Sequence, residues 1–255
     1  MLDKLNKETQ QGNVPYPSPQ TSKDGMALEL KNVIFKYPGS KSKLPALRNI
    51  SLDIKPGQLV VIVGANGSGK STLIKLLTRL YDPSSGTLLI DGMPVQEYRS
   101  PDVRRTIASF AQDHNLYPLS LYENIAFGDV LRSTDTAAVA EAAEQGGATE
   151  LIANARTFMR LNSGHVNFVS VDEPSSALDP EAEYQIFSRL IASRPGKTMV
   201  FVTHRFGHLT KYADLIVCMR DGGVAESGSH EDLMKLDGEY AKLYLIQADA
   251  FSHSI

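Results

Sequence analysis

Residues 61 to 77 read VIVGANGSGKSTLIKLL: an apolar run, a glycine-rich centre, and a second apolar run. The first run extends back to Leu59 and is rich in β-branched residues without polar alternation, which is how a strand buried on both faces reads. The second places Leu73, Ile74, Leu76 and Leu77 at helical spacing. Between them, Gly64, Gly69, Lys70 and Ser71 satisfy G-x-x-x-x-G-K-[ST]. Glycines at these places let successive backbone N–H groups turn inward onto an anion, and the following helix points its N-terminal dipole at the same charge. Lys70 can reach terminal phosphates and Ser71 can offer a hydroxyl to Mg²⁺. A chance match of this spacing occurs in about one chain in a hundred of this length, and the required strand-before, helix-after context is present.

The rest of the chain supplies a sheet around that loop. From Met26, MALELKNVIFKY and ALRNISLDI show partial alternation, predicting antiparallel strands on a half-exposed sheet. GTLLIDGMPV predicts a hairpin turning at Asp91-Gly92, and TIASFAQ a short strand. TDTAAVAEAAEQGG predicts a helix stopped at Gly146 and Gly147. TELIANARTFMR predicts another, with Leu151, Ile152, Ala155, Phe158 and Met159 on one face. VNFVSVDE, KTMVFVTH and ADLIVCMR read as strands separated by the helical PEAEYQIFSRLIAS, a pattern that implies crossovers and a mainly parallel sheet. The final stretch predicts one or two helices with Ser229 as N-cap. Residues 1–25, polar and holding three of the prolines, read as a linker or disordered arm.

Composition narrows the function classes. The 255 residues are 42% hydrophobic and 22% charged with a net charge of −3, an ordinary globular balance with no basic excess for nucleic acid. No run approaches the roughly 18 apolar residues of a membrane-spanning helix, and the N-terminus has no secretory apolar core. The one cysteine, Cys218, lies in an apolar run, reads as buried, and fits a reducing compartment. The sequons at Asn49 and Asn66 have no secretory context and read as chance matches.

A second acidic element completes the pattern. FVSVDEP ends a strand on Asp172 and Glu173, and ligands of open α/β sheets bind at that carboxyl end. An aspartate there can hold Mg²⁺, and the neighbouring glutamate can orient and deprotonate water.

GANGSGKST, then VDEPSSALDP, then VFVTHRF resemble the nucleotide-binding cassette of ABC transporters over most of Met26 to about Gln247. The resemblance implies an α/β fold with a P-loop NTPase (RecA-like) core, a mainly parallel sheet, an antiparallel β-subdomain, and a helical subdomain over about 113–165. It implies ATP and Mg²⁺ as ligands. Gly64, Asn66, Gly67, Ser68, Gly69, Lys70, Ser71 and Thr72 match Walker A, and Asp172 ends Walker B, with Ser170 where an aliphatic residue is usual. Glu173 matches the general base, Gln112 the Q-loop glutamine that senses Mg²⁺, and His204 the switch histidine. Ser176 to Asp179 match the D-loop, and Tyr37 the aromatic that stacks on adenine, worth about 1–3 kcal/mol by analogy with base stacking. YDPSSGTLLIDG and LYENIAFGD look most like the exporter branch. The partners implied are a membrane-spanning domain, in the same or another polypeptide, and a second cassette as homo- or heterodimer, at the cytoplasmic face of a membrane.

The LSGGQ signature that the family places ahead of a helix reading much like ARTFMR is not found here. The residues ahead of Ala155 are ATELIAN, so the helical subdomain is expected to be reduced, with a segment gone near Ile152–Asn154. Three function classes stay open: an exporter motor domain driven by ATP hydrolysis, a hydrolysis-impaired nucleotide-binding module or truncated cassette, and a soluble cassette protein of translation or DNA repair. The last usually carries two cassettes or a coiled coil, and neither is seen here.

Overall fold

The computed structural model describes residues 12–18, 21–110, 116–146, 152–172, 180–203, 207 and 209–252. The fold is organised around β3 (Leu59–Gly64), every residue of which is buried. Leu59, Val61 and Val63 enter one core, while Val60 and Ile62 enter another on the opposite face of the sheet. Two-sided burial explains why this strand carries no polar alternation. β3 pairs in parallel with β8 (Thr198–Val202) and with β9 (Leu215–Arg220). β8 pairs in parallel with β7 (Phe168–Asp172), and β7 with β6 (Ile107–Phe110). β10 (Gly223–Gly228) closes the sheet antiparallel to β9, giving the order β10-β9-β3-β8-β7-β6. That last strand has no sequence signal: GVAESG is too polar and glycine-rich, and it is half-exposed along its length.

The predicted antiparallel unit is present. β1 (Leu28–Phe35) pairs with β2 (Leu47–Ile54) and β4 (Ser85–Ile90), and β4 turns through Asp91 (φ 48°) and Gly92 (φ 81°) into β5 (Met93–Pro94). Two successive positive φ values are what a two-residue hairpin turn requires. This four-stranded sheet packs its apolar face onto the Val60 and Ile62 side of the main sheet. Helix α1 (Lys70–Leu77) shares that core through Leu73, Ile74, Leu76 and Leu77.

The other face of the main sheet is covered by helices. α3 (Leu121–Ala126), α4 (Thr136–Gln145) and α5 (Ile152–Leu161) follow β6 and pack here, whereas α2 (Ser100–Arg105), which precedes β6, buries Val103 in the core shared with the antiparallel sheet. α6 (Pro180–Ala192) crosses from β7 to β8, and α7 (His230–Leu236) and α8 (Glu239–Ser252) end the chain, with the Ser229 side chain accepting from the Asp232 N–H at the start of α7. The predicted face of α5 is buried: Ala155, Phe158 and Met159 lie in the core and Ile152 packs against it. Leu151 and Gly147 lie outside the described residues.

α5 is wedged tightly. A Cβ on Gly128 would lie 2.0 Å from the Arg156 carbonyl oxygen, and one on Gly146 would lie 2.5 Å from the Ala155 nitrogen. Arg156 ties the helix to α3, donating from Nε to the Asn124 carbonyl (2.8 Å) and from a terminal nitrogen to Asn124 Oδ1 (2.8 Å). Within this packing, Asn154 is fully buried, and neither its Nδ2 nor its Oδ1 has a hydrogen-bond partner among the described residues. Each such group costs about 1–3 kcal/mol. Asn154→Leu is therefore expected to stabilise the chain by about 1–3 kcal/mol in a urea titration; a loss of stability would show that the amide is satisfied in solution.

The arm expected over residues 1–25 is docked wherever it is described. Val14 accepts from the Arg99 N–H (2.8 Å) and donates to the Glu97 carbonyl (3.0 Å). Tyr16 is buried edge-on against Tyr98, with ring centroids 5.1 Å apart. Its hydroxyl donates to Asp91 Oδ2 and accepts from Asn167 Nδ2, both at 2.9 Å, while the Ala27 N–H donates to Asp91 Oδ1 (2.8 Å). Burial pushes the Tyr16 phenol and the Asp91 carboxyl above their ordinary ranges. Polar composition hid this, because one aromatic anchor and edge hydrogen bonds to residues 97–99 leave no periodic pattern. Tyr16→Phe deletes the donor to a buried carboxylate and should lower unfolding stability by about 1–3 kcal/mol. A free arm would give a change within about 0.5 kcal/mol.

Candidate nucleotide site

β3 ends at Gly64, and the chain must leave the sheet without a side chain. A Cβ there would meet the Met219 carbonyl oxygen of β9 at 2.3 Å, at φ +149°. The loop then turns through Gly67 (φ 79°) and Gly69 (φ 105°) into α1. Gly69 faces Leu47, whose Cδ2 would lie 2.9 Å from an added Cβ, so the antiparallel sheet holds the loop from behind. The Gly222 N–H donates to the Ser68 carbonyl (3.0 Å), tying the loop to the β9–β10 turn.

α1 begins without a side-chain cap and with no acidic residue in its first turn. The first N–H groups of a helix have no intrahelical acceptor, so nothing from the chain's own first turn competes for that positive end. Lys70 is 5% exposed, and its Nζ lies back along the loop, donating to the carbonyls of Gly64 (2.9 Å) and Ala65 (3.2 Å). The ammonium is thus fixed at the mouth of the loop. Ser71 Oγ donates to Asp172 Oδ1 (3.2 Å), joining two residues 101 positions apart. The carboxyl end of β7 therefore meets the first turn of α1, as the two motifs required.

Tyr37 stands beside the loop. Its hydroxyl lies 3.0 Å from Thr72 Oγ1, and its ring packs edge-on against Phe35 and Tyr81 (centroids 4.9 and 5.5 Å). Lys75 Nζ lies 5.5 Å from the centre of the same ring. Lys75 and Tyr81 were invisible as site residues, since neither belongs to a spacing motif; the turn of α1 carries Lys75 to Tyr37, and the segment just past its end carries Tyr81.

The residues present fit a triphosphate and a divalent cation. The cradle requires glycine at two positions where a Cβ would clash. Among the described residues no group of three His, Cys, Asp or Glu gathers to hold a metal. A hydroxyl and a single carboxylate suit Mg²⁺, which keeps several waters and takes its remaining ligands from phosphate. Gln112, Glu173, Asp179 and His204 lie outside the described residues. Cys218 is fully buried in β9, its thiol pushed up to about 12 by burial, with the Glu226 and Glu239 carboxylates adding to the shift. It takes no part in the site.

The ABC transporter family profile matches residues 47–171. An ATP-dependent lipid A-core flippase of Photobacterium profundum is 32% identical over 272 residues, covering 97% of this chain and 45% of that protein. The flippase of the same name from Xanthomonas campestris pv. campestris is 33% identical over 262 residues, covering 94% of this chain and 43% of that protein. A solved structure described as a bacterial Atm1-family ABC exporter with ATP bound superposes with a TM-score of 0.79 at 27% identity, covering 96% of this chain and 46% of that one. The chain spans under half the length of these relatives. The chain belongs to the ABC transporter family.

Proposed function

We propose that this chain binds Mg·ATP in the loop from Gly64 to Thr72 and serves as the cassette of an exporter, with hydrolysis impaired. The observation that carries binding is the meeting of Ser71 with Asp172 below a glycine loop closed by Lys70. In this reading the loop's N–H groups and the N-terminus of α1 hold the phosphates, Lys70 neutralises them, and Tyr37 stacks on adenine. Ser71, Asp172 and Gln112 would hold Mg²⁺, which neutralises charge on the phosphate oxygens when bound. Glu173 is assigned as general base, since it directly follows Asp172 at the strand's end. His204 is assigned to the γ-phosphate and Asp179 to the cassette–cassette interface.

Impairment rests on the signature not found in the sequence. The Photobacterium and Xanthomonas alignments, 272 and 262 residues long, exceed the 255 residues of this chain, so those relatives carry positions with no counterpart here. Extra positions of that kind support a lost segment, which the sequence reading assigns to the stretch ahead of α5. Without the second subunit's signature donors, hydrolysis lacks positioned charge stabilisation, for which one donor is commonly worth about 10²–10³ in rate.

A membrane-spanning partner is also part of this proposal. No helix among the described residues is long and apolar enough to cross a membrane. Leu116, Tyr117, Leu119, Leu121, Tyr122 and Phe127 form a run of exposed large apolar side chains on and beside α3, a concentration expected of a docking surface rather than free surface. The partner domain would choose the transported substrate and the direction. Binding of a fluorescent ATP analogue together with steady-state phosphate release tests both halves: saturable binding with little or no turnover is expected. Turnover at the rate of an intact transporter would contradict impairment, and no binding would contradict the site.

A further inference from the structure

Tyr37 lies two residues past the end of β1 and is held chiefly by the helix that follows the phosphate loop. Thr72 meets its hydroxyl, Lys75 lies over its ring, and Tyr81 packs perpendicular to it. Tyr81 is itself tied to the helix end, its N–H donating to the Lys75 carbonyl (3.3 Å). From β1, Phe35 packs edge-on against the same ring. We propose that Lys75 is a positioning residue for the nucleotide base: its ammonium and the Thr72 hydroxyl brace Tyr37 from α1, so that the aromatic platform and the phosphate cradle form one rigid unit. This rests on the nucleotide reading above.

The chemistry is a cation over an aromatic face, within the roughly 6 Å at which a ring quadrupole attracts it. A half-buried ammonium there restricts the ring's rotation about Cα–Cβ, and its charge polarises the ring on which the base would stack. Lys75 has no role at the phosphates in this arrangement, because its ammonium lies over the ring. The consequence is selectivity: the brace acts on ligands that carry a base and leaves the naked polyphosphate untouched.

The test compares ATP with inorganic tripolyphosphate by calorimetry in magnesium buffer, on the full chain. Lys75→Met keeps the stem and removes the charge; it is expected to weaken ATP by about two- to five-fold and to leave tripolyphosphate unchanged. Lys75→Arg keeps a cation and should retain wild-type affinity for ATP. In a Tyr37→Ala background the Lys75→Met effect should vanish, since its only route to the base is gone. Equal weakening of both ligands would place Lys75 on the phosphates and overturn the proposal. So would an unchanged ATP affinity, or an effect that survives Tyr37→Ala. Failure of the underlying reading looks different: the wild-type chain would take up neither ligand, or Tyr37→Ala alone would leave ATP affinity unchanged.

Discussion

Insertion of an LSGGQ-bearing segment ahead of Ile152 should raise steady-state ATP hydrolysis by about 10²–10³-fold over the chain as it stands. The family's signature acts at the start of a helix, where free N–H groups and a serine meet the γ-phosphate held by the facing cassette. The receiving helix is already in place. α5 runs over Ile152–Leu161, buries Ala155, Phe158 and Met159, and is pinned to α3 through Arg156. On the proposed reading, what it lacks is the donor set at its beginning. The gain should disappear with Glu173→Gln, which removes the assigned base and commonly costs about 10²–10⁴. Phosphate release from the grafted chain, with and without Glu173→Gln, checks this. A graft that folds and binds ATP but hydrolyses no faster would show that the defect lies elsewhere.

Lys70→Ala should weaken Mg·ATP binding by about 10–150-fold, the equivalent of one charge-assisted hydrogen bond of about 1.5–3 kcal/mol. The ammonium is buried at the loop mouth, aimed by the carbonyls of Gly64 and Ala65, so its orientation costs little on binding. The fold should survive the change, because α1 is held by Leu73, Leu76 and Leu77 rather than by its first residue. Displacement of a fluorescent nucleotide gives the affinity, and a melting curve separates weakened binding from lost structure.

Much of this was legible in the sequence, for identifiable reasons. β3 announced itself because both of its faces are covered, which forbids polar alternation. The hairpin at Asp91-Gly92 was legible because positive φ at two successive positions selects such residues. The pairing of Ser71 with Asp172 followed from two motifs that share one sheet end. Other features lack any local signal. β10 is polar and half-exposed, and its pairing depends on β9 lying alongside. The N-terminal arm docks through the single side chain of Tyr16 and the backbone bonds of Gly12 and Val14 to residues 97–99. Asn154 fits a helical pattern comfortably as one polar residue, and only the packed structure reveals that it is buried with its amide unpaired among the described residues. Lys75 belongs to the site through the rotation of α1 alone.

The central claim is that peptide N–H groups around Gly64–Ser71 take up the triphosphate of ATP. Titration calorimetry of the purified, folded chain with ATP in magnesium buffer measures that uptake directly. One saturable event, close to one nucleotide per chain and competed by tripolyphosphate, is the predicted result. No heat of uptake on material that melts cooperatively, or uptake that tripolyphosphate cannot compete, would contradict it.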